Sequence, residues 1–374
     1  MNILFLANSS WYLKNFRFST LCAFSSRGNV VCLFPNENTC HSYILDGFFS
    51  KTFYLDASSL NPFKEFISFF CLFFGILRLK PSIVFSFNPK TNLYALVACW
   101  ILHIPCVANV SGVGVASEIG GIIGKIYRIF VGFFYKRAAY VFFQNKDDYQ
   151  SFISSGWVDL SKSEILPGSG VDLVRFTPTE KESDTFRFLM AARLIRPKGV
   201  LEFIEAAQKV LKGCNKKCEF ILAGITDSSS RAVPYEILKS LERIEHIHFV
   251  GQVNDMPALL KNIDCVVLPT YYPEGTPRSL LEAAASGKII LTTDTPGCRD
   301  VVLEGENGFF VEPKSSDDLA VKMFNVLNLK PHELNKMKKA SRVLAEKNFD
   351  EQIVIQRYLK ISDELIGNTV GRGD

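Results

Sequence analysis

The chain has little of what marks metal, nucleic-acid or membrane-spanning chemistry. It holds only 5 histidines in 374 residues. None follows at zinc spacing after Cys214 and Cys218, the closest pair among ten scattered cysteines. Thiols so placed read as free and buried in a reducing cytosol. Met1-Asn2 runs straight into the apolar stretch Ile3 to Ala7 without a basic lead-in, so no signal peptide is expected. A net charge of +4 is too mild for a nucleic-acid partner. The run Phe66 to Leu77 is almost wholly apolar but too short to span a bilayer.

What is present is a foldable α/β chain. Hydrophobic residues make up 48% and charged residues 21%, over a length that suits two domains. The two halves differ. Positions 1–176 hold 23 of the 32 phenylalanines, and positions 1–165 carry 14 Lys and Arg against 9 Asp and Glu. Strands are expected at Ile3 to Ala7, Asn29 to Phe34, Ile83 to Phe87, Pro105 to Val110 and Ala139 to Phe143, with helices between them. Pro167-Gly168-Ser169-Gly170-Val171-Asp172 reads as a linker. The alternation then restarts, with strands at Phe186 to Ala191, Glu219 to Ala223, His248 to Val250, Cys265 to Leu268, Ile289 to Leu291 and Gly308 to Val311. Such alternation predicts parallel sheets in two doubly wound domains, with ligands beyond the carboxyl ends of the strands, in a cleft between the domains. Two aromatic stretches, Phe66 to Leu77 and Lys125 to Arg137, are either core helices with basic ends or helices lying in a membrane interface.

The most telling segment is Glu274-Gly275-Thr276-Pro277-Arg278-Ser279-Leu280-Leu281-Glu282. It lies between a strand and a helix, with Thr276 expected as the N-cap and Pro277 in the first helical position. A helix start offers free N–H groups to a phosphate or a sugar hydroxyl. Glu274 and Glu282 can reach different parts of one elongated ligand. Upstream, Arg193-Leu194-Ile195-Arg196-Pro197-Lys198-Gly199 places two cations at another strand end, a pattern that suits a diphosphate.

Together, Arg-x4-Lys-Gly, Glu-x7-Glu and the Asn307-Gly308-Phe309 turn resemble the retaining glycosyltransferases of family 4, which have the GT-B fold of two Rossmann-like domains. The stretches Ser10 to Arg17, Val110 to Gly114 and Glu274 to Ser279 resemble its branch that builds bacterial surface polysaccharide, O-antigen and capsule. The resemblance implies an N-terminal acceptor domain over 1–168, a nucleotide-sugar domain over 172–349, and a helix over 350–374 that crosses back to the first domain. It implies that Arg193 and Lys198 bind the donor diphosphate, that Glu274 contacts the donor sugar, and that Glu282 holds the ribose. Gly275 and Thr276 would offer backbone N–H groups, and Val253 would lie near the base. Ser9, Ser10, Trp11, Ser111, Gly112, Val113 and Gly114 would face the acceptor. The donor would be a UDP-sugar, an N-acetylhexosamine foremost and N-acetylgalactosamine ahead. The acceptor would be a saccharide on a polyprenyl (undecaprenyl) diphosphate, met by peripheral contact at the inner face of the cell membrane. No metal or other cofactor is implied, since protein cations serve the phosphates. The two glutamates would not act as a glycosidase acid/base pair. The chain departs from the pattern in one place: many members carry a histidine where this one has Ser111-Gly112-Val113-Gly114, and His103 precedes the strand and reads as structural. UDP-galactose, UDP-glucose or a GDP-sugar are the alternative donors. An epimerase, a phosphorylase or a non-catalytic nucleotide-sugar scaffold are the alternative roles.

Overall fold

Runs such as Ile83 to Phe87 and Ile289 to Thr293 are buried at every position and form strands covered on both sides. The computed structural model describes residues 1–36, 47–56, 61–112, 121–179, 184–226 and 229–370. The chain divides into two units, Met1–Ser169 with Gln352–Asp374, and Gly170–Glu351.

The first unit runs β1 (Asn2–Leu6), α1 (Ser10–Phe16), α2 (Phe18–Ser25), β2 (Asn29–Pro35), β3 (Phe49–Phe53), α3 (Pro62–Leu79), β4 (Ile83–Phe87), α4 (Pro89–Leu102), β5 (Cys106–Val110), α5 (Gly121–Tyr135), β6 (Tyr140–Phe143), α6 (Lys146–Ser154) and β7 (Ser163–Ile165). Its strands pair in the order β3-β2-β1-β4-β5-β6-β7, all parallel. One face of the sheet packs under α3, α4 and α5, through residues such as Leu72, Ile76, Leu96, Val131 and Phe134. The other face packs under α1, α2 and the last helix of the chain.

The second unit runs β8 (Phe186–Ala191), α7 (Val200–Gly213), β9 (Cys218–Ala223), α8 (Tyr235–Ser240), β10 (Ile247–Gly251), α9 (Met256–Lys261), β11 (Cys265–Leu268), α10 (Arg278–Ala285), β12 (Ile289–Thr293), β13 (Gly308–Val311), α11 (Ser316–Asn328) and α12 (Pro331–Asn348). The strand order is β10-β9-β8-β11-β12-β13, again all parallel. The Asn307-Gly308-Phe309 turn is held by Asn307, fully buried, whose amide accepts from the Leu303 N–H at 2.7 Å and donates to the Val301 carbonyl at 3.0 Å.

The last helix, α13 (Glu351–Val370), lays Tyr358 into the core of the first unit, 4.8 Å from the Phe142 ring and 5.5 Å from the Phe85 ring. Both sheets are parallel and helix-covered, the α/β architecture of the GT-B fold. The thiols need one correction. Six of the nine described cysteines are buried, but Cys22 is exposed and Cys71 and Cys214 are half-buried. In α2 the inward positions are Thr20, Leu21 and Phe24, so helical periodicity turns Cys22 outward.

Candidate functional site

In a parallel sheet every strand delivers its following loop to the same edge. In the second unit that edge collects the segments after β8, β9, β10 and β11. The turn after β8 is tight. Gly199 has φ +81°, and a Cβ there would stand 2.3 Å from the Pro269 carbonyl oxygen, so only glycine lets the two loops touch. The loops are also stitched by hydrogen bonds. The Tyr271 N–H donates to the Pro197 carbonyl at 2.9 Å, and the Tyr272 N–H to Thr270 Oγ1 at 3.1 Å. Thr270 Oγ1 lies 3.2 Å from both the Pro197 carbonyl and Glu274 Oε1.

This stitching brings Lys198 against Glu274. Their side chains form an ion pair only 11% and 12% exposed. Beneath it the Cys298 thiol is pushed up to about 12 by burial, with the Glu274 charge adding to the effect. Behind the carboxylate, Gly297 has φ +78° and leaves no room for a Cβ, which would fall 1.6 Å from the Gly275 carbonyl oxygen. Backbone thus rests on backbone there and supports the loop that carries Glu274.

Three cations surround Tyr272. The Arg193 guanidinium lies 5.7 Å from its ring centroid, Lys198 Nζ 5.6 Å and the Arg231 guanidinium 5.4 Å. Arg231 arrives from a distant loop through the antiparallel bridge between Ile195 and Ala232, and the Arg196 N–H donates to the Arg231 carbonyl at 2.8 Å. Neither Arg231 nor Tyr272 was legible as a site residue. Arg231 belongs to no motif, and Tyr272 stands in the loop just before Glu274 with nothing to distinguish it from a packing aromatic.

Glu282 has a different neighbour. Arg278 Nε donates to its Oε1 at 3.0 Å, and Arg278 Nη1 donates to the Gly170 carbonyl at 2.7 Å. Burial pushes the Glu282 carboxyl above its ordinary value, opposed by Arg278 and then Arg175. Val253 follows β10 and packs against the core of this unit. Three strand spacings separate β10 from β11, roughly 14 Å, which an extended nucleotide sugar can bridge. The helix start differs from expectation. Pro277, not Thr276, is the N-cap, with ψ 124°, and α10 begins at Arg278. The proline ring fixes φ, but its extended ψ keeps it outside the helix. Its carbonyl accepts from the N–H groups of Leu280 and Leu281 at 3.1 and 3.2 Å. Thr276 is buried in the preceding loop.

In the first unit, Ser9 caps α1 by accepting from the Tyr12 N–H at 3.1 Å, and Ser10 is fully buried. The half-buried Trp11 packs edge-on against Phe16, ring centroids 5.1 Å apart. Ser111 and Gly112 follow β5, Gly112 with φ +101°; Val113 and Gly114 lie outside the described residues. His103 is the left-handed C-cap of α4, its N–H turned to the Cys99 and Trp100 carbonyls. Among the described residues, the carboxyl ends of β5 and β6 carry neutral amides. Asn109 donates to the Tyr358 hydroxyl, and Gln144 Nε2 donates to Asn109 Oδ1 at 3.2 Å. One buried cation, Arg17, lies near that edge, 4.6 Å from the Phe87 ring centroid and 5.5 Å from that of Tyr358.

Residues 175–344 match the model of the glycosyl transferases group 1 family. The chain is 28% identical to the Campylobacter jejuni N,N'-diacetylbacillosaminyl-diphospho-undecaprenol alpha-1,3-N-acetylgalactosaminyltransferase, over 98% of this chain and 100% of that protein. It is 26% identical to the Escherichia coli UDP-Gal:alpha-D-GlcNAc-diphosphoundecaprenol alpha-1,3-galactosyltransferase, over 92% of this chain and 90% of that protein. Among solved structures, Anabaena HepE in complex with UDP and glucose superposes with a TM-score of 0.76 at 17% identity, over 97% of this chain and 100% of that chain. A Rickettsia africae glycosyltransferase superposes with a TM-score of 0.75 at 18% identity, over 98% of this chain and 99% of that chain.

Proposed function

We propose that this chain, a group 1 glycosyltransferase, moves a sugar from a UDP-sugar to a saccharide carried on undecaprenyl diphosphate, with retention at the anomeric carbon, in the making of a bacterial surface polysaccharide. It works as a peripheral protein at the inner face of the cell membrane. The observation that carries the donor half is the gathering of Arg193, Lys198 and Arg231 around Tyr272 beside Glu274. Three fixed cations suit a diphosphate far better than a neutral ligand. The acceptor half rests on the two relatives, both of which act on diphospho-undecaprenol sugars. N-acetylgalactosamine is the first-choice sugar, as for the Campylobacter relative. Galactose is second, as for the Escherichia coli one.

In the proposed reaction the bond between the anomeric carbon and the diphosphate oxygen breaks, and its electron pair leaves with the phosphate. The acceptor hydroxyl oxygen bonds to the same carbon from the same face. Its proton passes to the departing phosphate oxygen, and the products are UDP and the extended lipid-linked saccharide. The growing charge on the phosphate meets cations already in place, which lowers the barrier without reorganisation. Glu274, paired with Lys198, contacts a sugar hydroxyl of the donor. Glu282 takes the ribose hydroxyls, and the backbone N–H groups of Gly275 and Thr276 add to the phosphate or sugar site. Because the charge falls on protein cations, transfer persists after extraction with EDTA. Complete loss restored by magnesium would count against that role.

The deciding experiment offers UDP- and GDP-sugars to the protein with undecaprenyl-diphosphate-linked saccharides and reads the product linkage by NMR. An α-linked product from a UDP-N-acetylhexosamine is expected. A β-linked product, or turnover with GDP-sugars alone, overturns the reading.

A further inference from the structure

Arg278 stands where helix electrostatics disfavour it. It is the first residue of α10, and that helix has no acidic residue in its first turn. A cation at a helix start opposes the macrodipole, and an Arg four residues before its Glu is the weaker order for such a pair. Yet the side chain is tied on two sides. Its Nε donates to Glu282 Oε1 at 3.0 Å and its Nη1 to the Gly170 carbonyl at 2.7 Å. The two charged side chains are only 13% and 15% exposed. Helix stability does not account for an arginine here; its contacts with Glu282 and Gly170 do.

The Gly170 carbonyl is a fixed anchor. Gly170 has φ +68°, and a Cβ there would fall 2.4 Å from Glu351 Cα. The next residue is bridged to Asp350: the Val171 N–H donates to the Phe349 carbonyl at 2.8 Å, and the Glu351 N–H to the Val171 carbonyl at 3.1 Å. Arg278 is thus pinned to backbone that does not depend on Glu282, and the planar guanidinium carries that anchor to the carboxylate. Burial raises the Glu282 carboxyl, and Arg278 is the first group that opposes it, ahead of the exposed Arg175. The cation of α12 beside this helix, Arg342, donates instead to the Leu173, Phe176 and Ala285 carbonyls.

We propose that Arg278 is a positioning residue that aims Glu282 at the donor's ribose, so that the site selects a ribonucleotide over a 2′-deoxyribonucleotide. This rests on the reading of Glu282 as the ribose contact. Arg278 touches no reacting atom and acts through the carboxylate. An ionised carboxylate only accepts hydrogen bonds, which matches a diol that donates them. A carboxyl that swings away or takes up a proton loses that match, and with it the advantage of the 2′-hydroxyl. Arg278 guards against both losses: its anchored fork fixes the direction, and its charge favours the ionised form.

The test titrates UDP and 2′-deoxyuridine diphosphate into the full chain by calorimetry and reads the ratio of the two Kd values, which a general loss of stability does not move. The wild type is expected to favour UDP by about 10-fold, the worth of a hydrogen bond to a charged group. In Arg278→Gln and in Glu282→Ala the ratio falls to within about 2-fold of unity, and Arg278→Gln/Glu282→Ala loses no more than either alone. Arg278→Lys, which keeps a cation beside the carboxylate, retains most of the preference. A wild-type preference that survives Arg278→Gln, or one lost equally in the Lys and Gln variants, overturns the inference alone. A wild type that binds neither nucleotide, or both equally, overturns the donor reading of Glu282 and the inference with it.

Discussion

The two units share one architecture and use the carboxyl edges of their sheets in opposite ways. The second unit ends its strands in charge: Arg193, Lys198 and, by a bridge from another loop, Arg231, with Glu274 close by. The first unit ends β5 and β6 in neutral amides, Asn109 tied to Tyr358 and Gln144 tied to Asn109. Its nearby cation, Arg17, is sealed under aromatic rings rather than offered to a ligand. The same fold thus ends one unit's strands beside a cluster of charge and two strands of the other in buried amides. Fold supplies the edge, and the loop residues decide the chemistry.

The strongest way to break this contrast is Lys198→Ala. Transfer is expected to fall by about 10² to 10³ in kcat, the usual loss for one preorganised electrostatic contact. The variant also strands a poorly exposed carboxylate, so some melting temperature is lost with it. Lys198→Met/Glu274→Gln separates the two effects: the melt recovers and transfer does not. Recovery of both would make the pair structural. Next comes Arg231→Ala, which should raise KM for the donor roughly 10-fold with a smaller change in kcat, as the proposed diphosphate contact requires. An unchanged KM would remove Arg231 from the site.

The smaller predictions fall on the first unit, where charge is a burden. Asp148 is pushed up to about 6, first by burial, then by Asp147, against the hydrogen bond from Asn145. A carboxyl with a folded value above its unfolded one holds its proton more tightly when folded. Stability therefore falls as pH rises from about 4 to about 6. Asp148→Asn removes that slope and gains on the order of 1 kcal/mol at neutral pH, read by denaturant melts at both ends of the window. No gain would mean that the carboxylate is better solvated than its surroundings suggest. Tyr358→Phe should cost about 1 kcal/mol, the worth of one buried hydrogen bond, and leave donor binding untouched.

Much of this is legible in the sequence. Apolar runs such as Phe186 to Ala191 and Cys265 to Leu268 can only be covered strands, and both begin and end where their composition changes. The missed strands are edges. β3 reads Phe-Ser-Lys-Thr-Phe and β7 is three residues with a glutamate, because an edge strand needs less apolar surface than a central one. α6 was missed because Lys146-Asp147-Asp148-Tyr149-Gln150 opens it with polar groups. The loop with Glu274 announced itself by its setting between strand and helix. Arg231 could not, since a bridge between distant loops leaves no local pattern. The N-cap was misplaced because a proline beside a threonine fits two positions equally well in sequence, and only ψ separates them.

The central claim is that the charged edge of the second unit receives the donor's diphosphate. Calorimetric titration of UDP into the wild-type protein and into Arg193→Ala/Arg231→Ala tests it without acceptor or turnover. The account predicts binding to the wild type and a Kd at least ~10-fold weaker in the double variant, with the melting temperature preserved. Equal affinity in the two proteins would contradict it.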